Sequence, residues 1–264
     1  MIHKTALIDS KAEIAENVII GAFCVIGPYV KIEENTIIHS NVVVEGNTHI
    51  GKGCEIFPFT VIGTRAQDIN ISKEYIGNVK IGNDVIIREQ VTVHSSTSTD
   101  NYTTIGDSCY LMATSHVAHD CILNKSVIMA NSSMLAGYVE VGKNVFISGG
   151  AAVHQFSKIG DYSFIIASSR TVQDVPPYAM TAGSSPTEFA GINIVGLKRA
   201  GFGSEDIRLI KNAYRILFKK GMKTNDSFKE LKQFSSDKVV QRIIDFITVS
   251  KRGIIKKWKG RNSL

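Results

Sequence analysis

From Ile2 onward, every sixth residue is aliphatic for eleven consecutive positions: Ile2, Ile8, Ile14, Ile20, Ile26, Ile32, Ile38, Val44, Ile50, Ile56 and Ile62. The pattern lapses, resumes at Ile81, Ile87 and Val93, lapses again, and returns for eleven positions from Ile105 through Val117, Leu135 and Val153 to Ile165. Four residues after each anchor stands a small or β-branched residue, as in Cys24, Val30, Thr36, Val42 and Cys54, so both positions are expected to point inward. A period of six matches neither the 3.6 of an amphipathic helix nor the plain alternation of an isolated strand; short strands joined by tight corners satisfy it. Glycine often follows the anchor, as at Gly21, Gly51, Gly106 and Gly160, which predicts corners that need backbone freedom. A β-solenoid is expected.

Two interruptions, residues 63–79 and 95–104, predict loops projecting from the scaffold, where binding residues tend to lie. After Ile165 the period fades through Val175-Pro-Pro-Tyr178. The expected organisation is a solenoid over 1–178, a connecting segment over 179–198, and a helical domain over 199–264. In that domain Ser204 is expected to cap a helix with Glu205 and Asp206 in its first turn and an apolar face of Ile207, Ile210, Tyr214, Leu217 and Phe218, stopped by Lys219-Lys220-Gly221. A shorter helix is expected over 227–234. A third should start near Ser236, bury Val239, Val240, Ile243, Ile244 and Ile247, and end at Lys251-Arg252-Gly253.

Charge divides along the same line. Residues 1–198 carry 13 Lys+Arg against 18 Asp+Glu, net −5, whereas 199–264 carry 17 against 6, net +11. Such a tail points to an acidic partner. Nucleic acid is disfavoured because aromatic residues do not interleave with the basic ones beyond Trp258. No apolar run approaches the roughly 18 residues of a membrane helix, and the N-terminus meets a charge before any apolar core of a signal peptide; no stable membrane insertion and a cytoplasmic location are expected. Cys24, Cys54, Cys109 and Cys121 all occupy the small inward position, at spacings unlike metal-binding pairs, and are read as reduced core residues.

The six-residue period resembles that of the hexapeptide-repeat family, whose three hexads make one triangular coil; that resemblance implies that residues 18 apart stack on successive rungs, about 4.8 Å apart by the usual strand spacing. This aligns His119, Gly137 and Gln155 in one column and Ala118, Ala136 and His154 in the next. Asp120, beside His119, is placed to fix its tautomer, a base with an orienting carboxylate. Gly137, one rung away, is placed to offer its N–H to a developing oxyanion. None of the seven histidines falls on an inward position, so all are expected to reach solvent or a partner.

The hexapeptide-repeat resemblance also implies a left-handed parallel β-helix and a homotrimer with sites between prisms. The segments His116-Val-Ala-His-Asp-Cys121, Leu135-Ala-Gly137, Val153-His-Gln-Phe156, Gln173-Asp-Val-Pro-Pro-Tyr178 and Asn193-Ile-Val-Gly-Leu-Lys-Arg-Ala-Gly-Phe202 resemble more specifically the acyl-[acyl carrier protein]:UDP-N-acetylglucosamine O-acyltransferases of lipid A biosynthesis. That resemblance implies transfer of a 3-hydroxyacyl chain from acyl carrier protein to the sugar 3-hydroxyl. It implies His119 as general base, Asp120 as its partner and Gly137 as oxyanion donor. It further implies Gln67, Asp68, His116, His154 and Gln155 around the sugar nucleotide, Arg199 at its phosphates, Asn193 on the acyl-pantetheine arm, and Ala167 as the acyl-chain ruler beside Phe164. No cofactor is implied.

Two departures stand out from the pattern: Tyr138 occupies a position the family commonly gives to His, and Gln67-Asp68-Ile69-Asn70 lacks the usual phosphate-binding lysine, for which Lys73 is the nearest substitute. The alternatives are an acyltransferase acting on a 3-amino sugar nucleotide or using acetyl-CoA, a zinc hydrase with histidines shared between subunits, and a non-enzymatic scaffold or ice-binding prism. The last would favour outward threonine ladders, which the sequence lacks.

Overall fold

The computed structural model describes residues 1–218 and 224–256. Strands of two to four residues, from Leu7–Ile8 to Arg170–Thr171, run in parallel up three faces of a triangular prism. Face 1 begins at Leu7–Ile8, face 2 at Glu13–Ile14 and face 3 at Ile19–Ile20, and each strand pairs with the one three strands later. The fold is a left-handed parallel β-helix. The anchors fill its axis: Ile32, Ile38, Val44, Ile50, Ile56, Ile62, Val117 and Leu135 are wholly buried. The small inward positions close the corners, where Thr36 donates through Oγ1 to the Gly51 carbonyl at 2.9 Å. The four cysteines are free and buried there, and Cys121 Sγ faces the Ala136 carbonyl at 3.1 Å. Burial pushes the Cys121 thiol up to about 12, so it stays protonated.

The corner glycines have a different task from the one expected. Gly21, Gly51, Gly106 and Gly160 are not at positive φ; the left-handed residue comes two positions later and is often Asn, Ser, Tyr or Phe, such as Phe23 at φ 57° and Tyr138 at φ 61°. What requires glycine at Gly21 is closeness: a Cβ there would lie 2.7 Å from the Ser40 backbone nitrogen on the next rung.

Away from the interruptions, neighbouring rungs pair residues 18 apart, as in His116 with Met134. Val61 instead pairs with Thr92, and Ile86 with Tyr110, offsets of 31 and 24 residues. The two insertions therefore add 13 and 6 residues, and the strands resume on either side without losing inward register.

The segment after 178 is more ordered than a connection. Strand Ala179–Ala182 joins face 3 and turns back antiparallel onto Glu188–Ile192, closing the end of that sheet. Among the described residues four helices follow: α1 Ile194–Arg199, α2 Ser204–Leu217, α3 Thr224–Leu231 and α4 Lys238–Val249. Ser204 opens α2, but its cap position is Gly203 and no side chain caps it. The apolar face is as expected: Ile207, Ile210, Tyr214 and Leu217 are buried. A 3-10 turn, Lys232–Phe234, continues α3, and α4 buries Val240, Ile243 and Ile244 before ending ahead of Lys251. The expected stop at Lys219, Lys220 and Gly221, like Lys257, Trp258 and Lys259, lies outside the described residues. Among the described residues no helix is long and apolar enough to cross a membrane.

Candidate active site

The corner between faces 1 and 2 carries the candidate column. Strand His116–Val117 leads into Ala118-His119-Asp120, with Asp120 at φ 58°, before face 2 resumes at Ile122–Leu123. One and two rungs on, Gly137-Tyr138 and Gln155-Phe156 repeat the corner. His119 Nδ1 lies 2.9 Å from Asp120 Oδ2, and the side chains are 15% and 3% exposed. Burial alone would raise the Asp120 carboxyl, but hydrogen bonds from His119 and Thr97 overcome it and hold the group below the usual carboxylate range. An ionised Asp120 only accepts, so Nδ1 carries the proton and Nε2 is left as the free base.

Gly137 lies under the imidazole. A Cβ on it would sit 2.6 Å from His119 Nε2, so the ring occupies the space a side chain would need. Its amide donates to nothing among the described residues, whereas Tyr138 N–H bonds the His119 carbonyl at 3.1 Å. Base and free amide are thus stacked at one edge.

The outward column of face 1 runs Thr92, His116, Met134, Ala152, Arg170 by strand register. With the corner it forms an open cleft of about 490 Å³ lined by Gln67, His116, His119, Gly137, His154, Gln155 and Arg170, among others. Gln67 arrives from the first insertion, so six of the residues singled out from sequence converge here. Arg170 was not singled out, although it stands 54 positions beyond His116 in the same column. His116 Nδ1 meets Thr92 Oγ1 at 2.7 Å, and burial, then the neighbouring His119, push its pKa down.

Four expected residues lie elsewhere. Asp68 turns within its own loop, accepting from the Asn70 amide at 2.9 Å and from Asn70 Nδ2 at 3.0 Å. Asn193 caps α1: its Oδ1 accepts from Gly196 N at 3.0 Å and its Nδ2 donates to the Tyr162 carbonyl at 2.9 Å. Arg199 is exposed on α1, and Ala167 is exposed at the corner between faces 3 and 1.

His94 departs from the expectation that every histidine reaches solvent or a partner, being closed off within its own chain. It ends strand Thr92–His94, where its register partner is Thr64, is buried, and meets His116 edge to face with ring centroids 5.1 Å apart. Burial, then the nearby His116 and His119, lower its pKa to about 4. Between about 6.5 and about 4 the unfolded chain binds a proton there that the folded chain refuses, so stability falls as pH falls through that window. His116 adds the same sign. His94→Gln should flatten the melting temperature against pH between 6.5 and 4; an unchanged slope would show that the His94 proton is not responsible.

Comparison with known proteins follows the same geometry. The family model described as Udp N-acetylglucosamine O-acyltransferase, Domain 2, matches residues 174–255, and Bacterial transferase hexapeptide (six repeats) matches 29–64. The acyl-[acyl-carrier-protein]–UDP-N-acetylglucosamine O-acyltransferase of Thermodesulfovibrio yellowstonii is 46% identical over 260 residues, covering 97% of this chain and 99% of that one. The enzyme of that name from Campylobacter concisus is 35% identical, covering 96% of each. The crystal structure of the Francisella novicida UDP-N-acetylglucosamine acyltransferase superposes with a TM-score of 0.95 at 36% identity, covering 98% of this chain and 95% of that one.

Proposed function

The chain belongs to the acyl-[acyl-carrier-protein]–UDP-N-acetylglucosamine O-acyltransferase family, and from that premise we propose how its corner site performs the transfer. The protein is an acyltransferase that moves an acyl chain from acyl carrier protein to UDP-N-acetylglucosamine, the first step of lipid A biosynthesis. The observation that carries the mechanism is the free His119 Nε2 stacked over the unpaired Gly137 amide. His119 removes the proton of the sugar 3-hydroxyl as that oxygen attacks the thioester carbonyl of a 3-hydroxyacyl chain. Gly137 N–H stabilises the tetrahedral oxyanion, and the imidazolium, held by Asp120, protonates the departing thiol. No cofactor takes part. The cytoplasm is the proposed location.

Gln67, His116, His154 and Gln155 bind the sugar nucleotide in this reading, and Arg170 joins them as a cation for its phosphates. Asp68, Asn193 and Arg199 keep the roles the resemblance implied only where a neighbouring copy completes the cleft. Ala167 points the same way. Within one chain Ala167 and His119 occupy opposite edges of face 1, so an acyl groove touching both needs the edge of a second copy, as a homotrimer supplies.

Incubation of the protein with acylated carrier and UDP-N-acetylglucosamine should release carrier thiol in step with an ester of the sugar nucleotide. An amide formed on a 3-amino analogue with no ester on UDP-N-acetylglucosamine would replace this reading with N-acylation. Ala167→Met should move the preferred acyl chain shorter, because each buried methylene is worth about 0.8 kcal/mol and a hard end to the groove discriminates lengths. An unchanged ranking of acyl lengths would leave Ala167 as mere corner packing.

The carrier approaches along a second groove of about 590 Å³ on the face 2 side of the corner. It is lined by Tyr102, Tyr138 and Phe156, with Lys158, Lys251 and Arg252 set among Asp100, Glu140 and Asp174. Lys158 is paired with Glu140 at 2.8 Å, so Lys251 and Arg252 are the cations offered to an acidic carrier, over a range that salt shortens. KM for the carrier should rise with ionic strength and rise several-fold in Lys251→Glu; indifference to both would reject this route.

A further inference from the structure

The second insertion places one residue directly on the catalytic carboxylate. Thr97 N–H lies 3.1 Å from Asp120 Oδ2 and 3.3 Å from Oδ1, and its hydroxyl lies 2.8 Å from Oδ2. The same hydroxyl lies 2.8 Å from the Tyr138 phenol. Chemistry fixes the direction of each bond. An ionised carboxylate only accepts, so the single Thr97 hydroxyl proton points to Asp120, and Tyr138 must donate to Thr97 Oγ1. The chain reads Tyr138 to Thr97 to Asp120, with His119 Nδ1–H donating to the same carboxylate oxygen.

Tyr138 is held in place to do this. Its ring stacks on Phe156 at 4.8 Å and 12°, and meets the His119 ring edge to face at 5.2 Å. The residue that departs from the family's common histidine is therefore the one whose hydroxyl reaches the insertion. Without Thr97, Asp120 would keep one side-chain partner, His119, and its carboxylate plane would be free to turn. A turned carboxylate lets the imidazole rotate, and a displacement of about 1 Å at a base costs up to about 100-fold in rate.

We infer that Thr97 is a positioning residue for the His119–Asp120 pair and that Tyr138 clamps it, an inference that rests on His119 being the base. Thr97→Val keeps the backbone N–H and the shape but removes the hydroxyl. It should lower kcat about 10-fold with both KM values within about 2-fold, and Thr97→Ser should restore most of the loss. Tyr138→Phe should cost less, in the same direction, and nothing further on top of Thr97→Val. The decisive comparison is made in His119→Ala, where Thr97→Val should leave the residual rate unchanged because the hydroxyl acts only through the dyad. An equal loss in both backgrounds, or a parental kcat in Thr97→Val, would overturn the inference while leaving the base assignment standing. A fully active His119→Ala would remove the base assignment and this inference with it.

Discussion

His119→Ala should fold, assemble as the parent does, and lose at least about 100-fold in kcat, the smaller end of what a positioned general base contributes. The side chain projects from a corner of the prism and is 15% exposed, while the axis beneath it is filled by Val117 and Leu135 without it. Its removal empties a place at the edge of an open cleft, so the core has nothing to repack. Asp120 loses one hydrogen bond but keeps both from Thr97. Circular dichroism, sedimentation and steady-state rates on one preparation separate the outcomes. Near-parental turnover would reject His119 as the base, and a collapsed fold would show that the corner is structural.

Gly137→Ala is expected to be comparably severe although glycine has nothing to titrate. The added methyl would stand 2.6 Å from His119 Nε2 and within reach of the rest of the ring. Because the ring borders the cleft, the cheapest response is for the imidazole to swing outward, which takes Nε2 off the proposed place of the reacting hydroxyl and screens the amide proposed to receive the oxyanion. Loss of position and loss of an oxyanion donor each cost on the order of 100-fold. Thermal stability should change little, since the strain is relieved toward solvent. In His119→Ala, the ring that the methyl would strike is gone, so Gly137→Ala should cost less there than in the parent. A parental rate in Gly137→Ala would show that neither the packing nor the amide matters to turnover.

The reach of the sequence follows the reach of its period. Wherever pairing runs at 18 residues, the inward and outward sides, the columns of His119, Gly137 and Gln155, and the buried cysteines follow from counting. Arg170 lies within that same logic, in the His116 column. Thr97 lay beyond it: the insertion that carries it has no period, and only the folded loop shows that it ends on Asp120. His94 sits where the period breaks, and despite its outward parity it is buried against His116. The hairpin Ala179–Ala182 with Glu188–Ile192 is antiparallel and follows no hexad, and α1 has too few residues to show a helical stripe. Asn193 shows the reverse case, in which a residue expected at a ligand has both ends of its amide engaged in holding α1 to the prism.

In the proposed mechanism the sugar hydroxyl attacks the thioester directly, activated by His119, with no acyl group passing through the protein. Intact-mass measurement of the enzyme mixed with acylated carrier, first without and then with UDP-N-acetylglucosamine on the turnover time scale, tests this most directly. Direct transfer predicts an enzyme mass unchanged throughout, with acyl ester appearing on the sugar nucleotide only when both substrates are present and only while His119 is intact. An acyl adduct on the enzyme that forms without acceptor and disappears as the ester appears would contradict it.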